Sequence, residues 1–147
     1  MSEQRETGIM GAARPEDLNR LFADRINAGD VEGLVALYEP TATVAFPPGQ
    51  LVSGTAAIRQ VFEQVLAGKP TLKATLRPTV HSGDLALTSV HWSMSMAGPD
   101  GLPMTLSGTS AEVVRRQPDG MWLRVIDQPT GFPRIERYYG GGSADVN

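Results

Sequence analysis

Residues 27–49 read NAGDVEGLVALYEPTATVAFPPG, and their punctuation sets the frame for the chain. Gly29 suits the left-handed residue that ends a helix, because it has no Cβ to clash there. Asp30 follows as a candidate N-cap for the next helix, its carboxylate accepting from a free backbone N–H. Val31, Leu34, Val35 and Tyr38 recur at helical spacing, and Pro40 is expected to stop that helix. Residues 42–46 then alternate, with Ala42, Val44 and Phe46 on one side, as in a half-buried strand. Pro47, Pro48 and Gly49 turn the chain.

Upstream, Leu18, Leu21, Phe22 and Ile26 give residues 15–28 the apolar stripe of an amphipathic helix. Pro15 fits its first turn, and Glu16 and Asp17 complement its positive end. Downstream, Ile58, Val61, Phe62, Val65 and Leu66 predict a third helix over residues 55–67, closed by Gly68 and Pro70. Beyond it lie four extended runs, 71–80, 84–97, 103–117 and 121–129, divided by the turn sequences HSGD, GPDG and QPDG. Helices first and strands afterwards predict an α+β fold, not alternating βαβ units. A curved antiparallel sheet packed on three N-terminal helices makes a cone, and a cone leaves a cavity of the kind that takes small molecules. Residues 14–133 are the expected single domain. Residues 1–13 are expected as a flexible arm and 134–147, with their triple glycine, as a flexible tail.

The chain has 147 residues, 41% of them hydrophobic and 20% charged, which suits one domain with a real core. A net charge of −3 gives no electrostatic case for nucleic acid or an anionic membrane. Cysteine is absent, which removes disulfides, thiolate metal sites and thiol nucleophiles. Without a signal-like opening or an apolar run of membrane length, a cytoplasmic protein is expected. The glycines form no phosphate-binding loop, and Ser107 and Ser110 lack a nucleophile-elbow context. His81 and His91 have no metal-ligand spacing, so neither a metal nor another cofactor is expected.

Two carboxyls stand out. In TSAEVVRR, alternation puts Ser110, Glu112 and Val114 on one face. Facing the cavity, Glu112 would be desolvated, its pKa raised, and able to donate or transfer a proton. On the sheet surface it would pair with Arg115, Arg116 or Arg124. In VIDQP, Met121, Leu123, Val125 and Asp127 share a face, so Asp127 is either a carboxylate at a cavity rim or a cap on the turn before Gly131. His91 and Trp92 point to opposite faces; Val90, Trp92, Met94 and Met96 form an apolar row suited to a pocket wall or an interface. His81 reads as an exposed turn residue. Tyr38 can turn its hydroxyl into the cavity mouth.

Residues 15–132, through INAGDVEGLVALYEPTATVAFPPGQLVSGTAAIRQVFEQVL and SAEVVRRQPDGMWLRVIDQPTG, resemble the nuclear transport factor 2-like superfamily. Within it the likeness is to ketosteroid isomerases and SnoaL-like proteins, with a C-terminal part similar to the SgcJ/EcaC or YybH-type branch. The resemblance implies a cystatin-like roll and a homodimer formed through the sheet. It also lets the isomerase residues be placed. The general base, an acid ending the first strand before a proline, falls on Phe46. The oxyanion-hole tyrosine falls on Phe22. The second oxyanion donor falls on Glu112, eight residues before Gly120. A proton abstraction needs a titratable group in reach, and phenylalanine is none. Three readings follow. The first is a cone that binds an apolar molecule through Phe22, Tyr38, Phe46 and Trp92 without the isomerase base. The second is an isomerase, cyclase or hydratase using Asp127 or Glu112. The third is a dimeric structural domain with no ligand.

Overall fold

The computed structural model describes residues 11–131. The expected tail, 134–147, and most of the expected arm lie outside them. Ala12, at the arm's inner end, is buried and accepts from Trp122 N at 2.8 Å, so the last residues before the first helix are docked on the sheet.

Helix α1 spans Pro15–Ala28, α2 Val31–Val35 and α3 Thr55–Ala67. The expected caps are present: Gly29 has φ +69°, and Asp30 Oδ1 accepts from Gly33 N at 2.9 Å. The second helix ends sooner than its spacing predicts. Tyr38 opens strand β1, Tyr38–Val44, which carries Pro40 exposed within it. Phe46 lies past the strand end, not inside it.

Strands β2 (Val52–Ser53), β1, β9 (Trp122–Gln128), β8 (Ala111–Arg116), β5 (Leu85–Thr88) and β4 (Val80–Ser82) form a six-stranded sheet in that order. Strands β3 (Thr71–Leu76), β6 (Val90–Ala97) and β7 (Pro103–Thr109) form a second. Pairing is antiparallel except for β1 on β9, which is parallel. The long runs 84–97 and 103–117 are each broken once, at Ser89 and Ser110, where the chain passes from one sheet to the other. These serines replace the interrupted ladder: Ser89 Oγ donates to Ser110 O at 2.5 Å, and Ser110 Oγ accepts from Val90 N at 3.0 Å. Hydroxyls that bond nearby backbone let a sheet turn a corner without orphaning its polar groups.

The corner wraps the strands around α1 and α3. Leu18, Leu34, Leu37, Ile58 and Val114 are buried in the core between them. Asn27, at the end of α1, fastens β3 by giving Nδ2 to Leu72 O (3.0 Å) and accepting Leu72 N on Oδ1 (2.6 Å). The result is the expected α+β cone. No helix among the described residues is long and apolar enough to cross a membrane.

Candidate functional site

The cone encloses a cavity with about 80 Å³ of room for the centres of water-sized spheres. One water needs about 10–15 Å³ on that measure, so a small organic group fits. Its walls are apolar. Phe22 and Ile26 come from α1, Phe62 and Val65 from α3, and Val90, Trp92 and Met94 from β6. Phe46 closes one side, and Trp92 donates its indole N–H to Pro129 O at 2.7 Å, fixing the ring against the turn after β9. The predicted apolar row of β6 therefore faces inward. His91, on the other face, is exposed and bonded to Thr109 Oγ1 at 2.7 Å.

The polar part of the lining is Asn19, Ser110, Glu112, Arg124 and Asp127. Glu112 is 2% exposed and takes a hydrogen bond from Thr88 Oγ1 at 2.6 Å. Burial pushes its pKa above the usual carboxylate range and the nearby Asp127 charge adds to this; Arg124 and the hydroxyls of Ser110 and Thr88 pull the other way. The inward reading of Glu112 holds, and its surface pairing does not occur. Arg115 pairs with Glu39 and Arg116 with Asp84 instead.

Asp127 is also buried and lines the cavity, but it does not share a face with Met121, Leu123 and Val125 as alternation predicts. Across β8 and β9, Val113 pairs with Ile126 while Val114 pairs with Arg124, which leaves Val125 as an extra residue. This bulge resets the alternation, so Trp122, Arg124 and Asp127 point inward together and Ile126 points out. Arg124, considered only as a surface partner in the sequence, becomes the centre of the floor. Its Nη1 donates to Asp127 Oδ2 and to Tyr38 Oη, both at 3.1 Å, and its Nη2 donates to Asn19 Oδ1 at 2.6 Å. Its guanidinium lies 4.4 Å from the Phe22 ring centroid, a cation–π contact. Burial works against the charge of Arg124, but Tyr38, Asp127 and Glu112 outweigh it and its pKa is raised.

Tyr38 does not line the cavity mouth. Its ring packs on Phe62, and its hydroxyl, buried behind the floor, donates to Asp127 Oδ2 at 2.5 Å. Burial, then the Asp127 charge, holds the phenol well above its ordinary pKa. Asn19 was missed in the sequence. Its spacing from Phe22 and Ile26 on one helix places it on the inward face, and that was the available signal.

Two carboxyls flank one guanidinium at the base of an apolar cavity. Such a centre can hold a polar atom of an otherwise apolar molecule and exchange a proton with it. No group of three or more metal-ligating side chains occurs among the described residues.

Three helices packed into a curved sheet over such a cavity define a class of small α+β domains. Residues 18–125 match the family model of the SnoaL-like domain, and the chain belongs to that family. The ketosteroid isomerase-like protein from Erwinia carotovora atroseptica SCRI1043 superposes with a TM-score of 0.69 at 14% identity, over 77% of this chain and 89% of that one. A domain of unknown function with a cystatin-like fold from Nostoc punctiforme gives 0.67 at 20% identity, over 90% and 83%. The epoxide hydrolase/cyclase-like enzyme SalBIII, which has a role in pyran ring formation in the polyether salinomycin, gives 0.61 at 19%, over 76% and 85%. At these identities the likeness is one of fold. No curated protein matches the sequence.

Proposed function

We propose that the cone binds a small, largely apolar molecule and performs acid–base chemistry on its oxygen function, with Glu112 as the proton donor. The observation that carries this is Glu112 itself: a carboxyl 2% exposed, facing an apolar cavity, with burial raising its pKa. A neutral carboxylic acid held beside a guanidinium donates to a developing negative charge on oxygen. In a hydration, Glu112 gives its proton to an epoxide oxygen as the C–O bond breaks. Water adds to carbon and gives its proton to Asp127, and that proton returns to Glu112 through solvent. Phe46 and Phe22, at the positions of the isomerase base and tyrosine, argue against the isomerase route. SalBIII, a protein of the same fold, is an epoxide hydrolase/cyclase-like enzyme, which makes epoxides the first substrates to try.

The test is turnover of small aryl epoxides and cyclic enones, followed by chromatography of products. Wild type is expected to convert a member of the panel. Glu112→Gln should lose that activity and stay folded. A variant with unchanged rate would remove Glu112 as the acid, and Asp127→Asn asks the same of Asp127.

Binding without turnover is the second reading. It is favoured by the aromatic walls, each ring contributing on the order of 1.5–3 kcal/mol when fully buried. It predicts ligand-induced stabilisation with no product.

We further propose a homodimer through the six-stranded sheet. Val80, Leu87, Val113 and Ile126 are successive cross-strand partners on its outer face, and Val80 (62%), Leu87 (46%) and Ile126 (48%) are exposed. A contiguous apolar row of this kind marks an interface. Ile126→Arg should shift the species to monomer in sedimentation; an unchanged mass would remove this face. A dimer with no ligand for its cone is the remaining, purely structural alternative.

A further inference from the structure

Trp92 is the largest side chain lining the cone, and its cross-strand neighbours are small: Ala74 on β3 and Gly108 on β7. A glycine inside a strand weakens it, so one that stands there has a reason. The backbone supplies none, since Gly108 lacks the positive φ that favours glycine. The indole supplies it. A Cβ on Gly108 would lie 3.3 Å from Trp92 Cζ2 and 3.4 Å from both Cε2 and Nε1. Near-equal distances to three atoms that span both rings mean that Gly108 meets the face of the indole, not its edge. The N–H edge is spent on Pro129 O at 2.7 Å. The turn after Pro129 is itself pressed onto β7, because a Cβ on Gly131 would collide with Thr109 O. With one face on Gly108 and the N–H edge on Pro129, the indole is left its other face to line the cavity, beside the small Ala74. A ring held in this way is in place before a ligand arrives, so stacking on it costs no ordering of the wall.

We propose that Trp92, backed by Gly108, is a stacking wall that selects a planar, π-conjugated ring in the molecule held in the cone, with Gly108 as the specificity-determining residue. The proposal deepens the binding reading above and rests on it. A flat ring laid against the indole gains a stacking contact that a puckered ring of the same carbon count does not make. Two other rings of the lining are already engaged. Phe22 and Phe62 meet edge to face with centroids 5.8 Å apart, and the Arg124 guanidinium lies over Phe22. A side chain at position 108 would lift the indole off β7 and into the space that the ligand's ring fills.

The experiment measures binding of benzyl alcohol and cyclohexylmethanol to the full chain by calorimetry. The two share one carbon skeleton and one hydroxyl. Cyclohexylmethanol has the larger apolar surface, so a cavity that reads apolar area alone prefers it. Wild type is expected to prefer benzyl alcohol by about threefold or more, the size of one aromatic pair. Trp92→Leu should abolish that preference and still bind cyclohexylmethanol. Gly108→Ala should abolish it as well, but should change neither affinity when Trp92→Leu is already present, because no ring is left to lift. Where Trp92→Leu does not fold, wild type and Gly108→Ala decide. Equal binding to wild type, or tighter binding of cyclohexylmethanol, would overturn the selection of planar rings. The apolar cone would stand, with Trp92 merely covering a glycine of the edge strand. An unchanged preference in Gly108→Ala would overturn the role of Gly108. Failure of both alcohols to bind would overturn the binding reading and this one with it.

Discussion

Tyr38→Phe removes a single oxygen from the floor and tests whether that network holds the site together. The ring keeps its place against Phe62, with centroids 5.8 Å apart. Lost are the 2.5 Å donation to Asp127 Oδ2 and the 3.1 Å bond accepted from Arg124 Nη1. Hydrogen bonds to charged groups contribute about 1.5–3 kcal/mol each. The direct Arg124–Asp127 bond at 3.1 Å persists, so no buried charge is stranded. The net cost is therefore near that of one charged bond, about 1.5–3 kcal/mol. For a chain of this size that lowers Tm by roughly 5–10 °C. Urea unfolding followed by circular dichroism gives the free energy directly. The pH dependence has a definite sign. The phenol is held above its ordinary value of 10.0 in the folded protein. Above that value only the unfolded chain ionises, so the wild type loses stability as pH rises and the variant does not. The gap between them should narrow above pH 10. A cost under about 0.5 kcal/mol, in the range of ordinary surface substitutions, would show that the phenol is not part of the floor.

Three further outcomes are expected. Glu112 keeps its proton in the folded protein above its ordinary value of 4.5, so its ionisation penalises folding increasingly as pH rises through that value towards the raised one. Glu112→Gln should accordingly gain on wild type between pH 4 and pH 8 in parallel denaturation series, and a constant difference would contradict the burial of an acid there. Gly33→Ala places a Cβ 2.2 Å from Asp30 Oδ2 and 2.9 Å from Arg25 Cδ, which breaks the α2 cap. It should cost about 1–3 kcal/mol despite better helix propensity, and much less when Asp30→Ala is already present; equal costs in the two backgrounds would rule out the clash. Asn27→Ala removes both bonds to Leu72 and should cost about 1–3 kcal/mol, with faster amide exchange at Leu72; unchanged exchange would mean that β3 is held elsewhere.

The helices were legible because each carries its own signals. Residues 15–28 and 55–67 are helical as their stripes predict, and Gly29 and Asp30 cap as residues of those types do. What the sequence hid depends on neighbours far along the chain. Nothing local shows that Tyr38 ends as a strand residue, since its helical spacing from Val31 and Leu34 is real. Its place is settled by pairing with Arg124, eighty-odd residues away. The breaks at Ser89 and Ser110 are equally silent in hydropathy. They matter because Ser110 sets the phase of β8 and so turns Glu112 inward.

The bulge at Val125 decides the site, and it shows why strand alternation misassigned β9. Period-two reasoning keeps Arg124 and Asp127 on opposite faces, since they lie three residues apart. One extra residue on β9 puts them on the same face, where a 3.1 Å ion pair replaces what would have been a buried Asp alone. An isolated carboxylate in that cavity would be strongly disfavoured, and so would an isolated guanidinium. Each makes the other's burial tolerable, and Glu112 shares the same Arg124 as its counter-charge without an ion pair of its own. The local irregularity thus gives an apolar cone of the SnoaL-like kind a buried ion pair in its floor. Deleting Val125 would, on this argument, leave Arg124 and Asp127 two residues apart in a regular strand, still on one face, so the ion pair of the floor should survive the loss of the bulge.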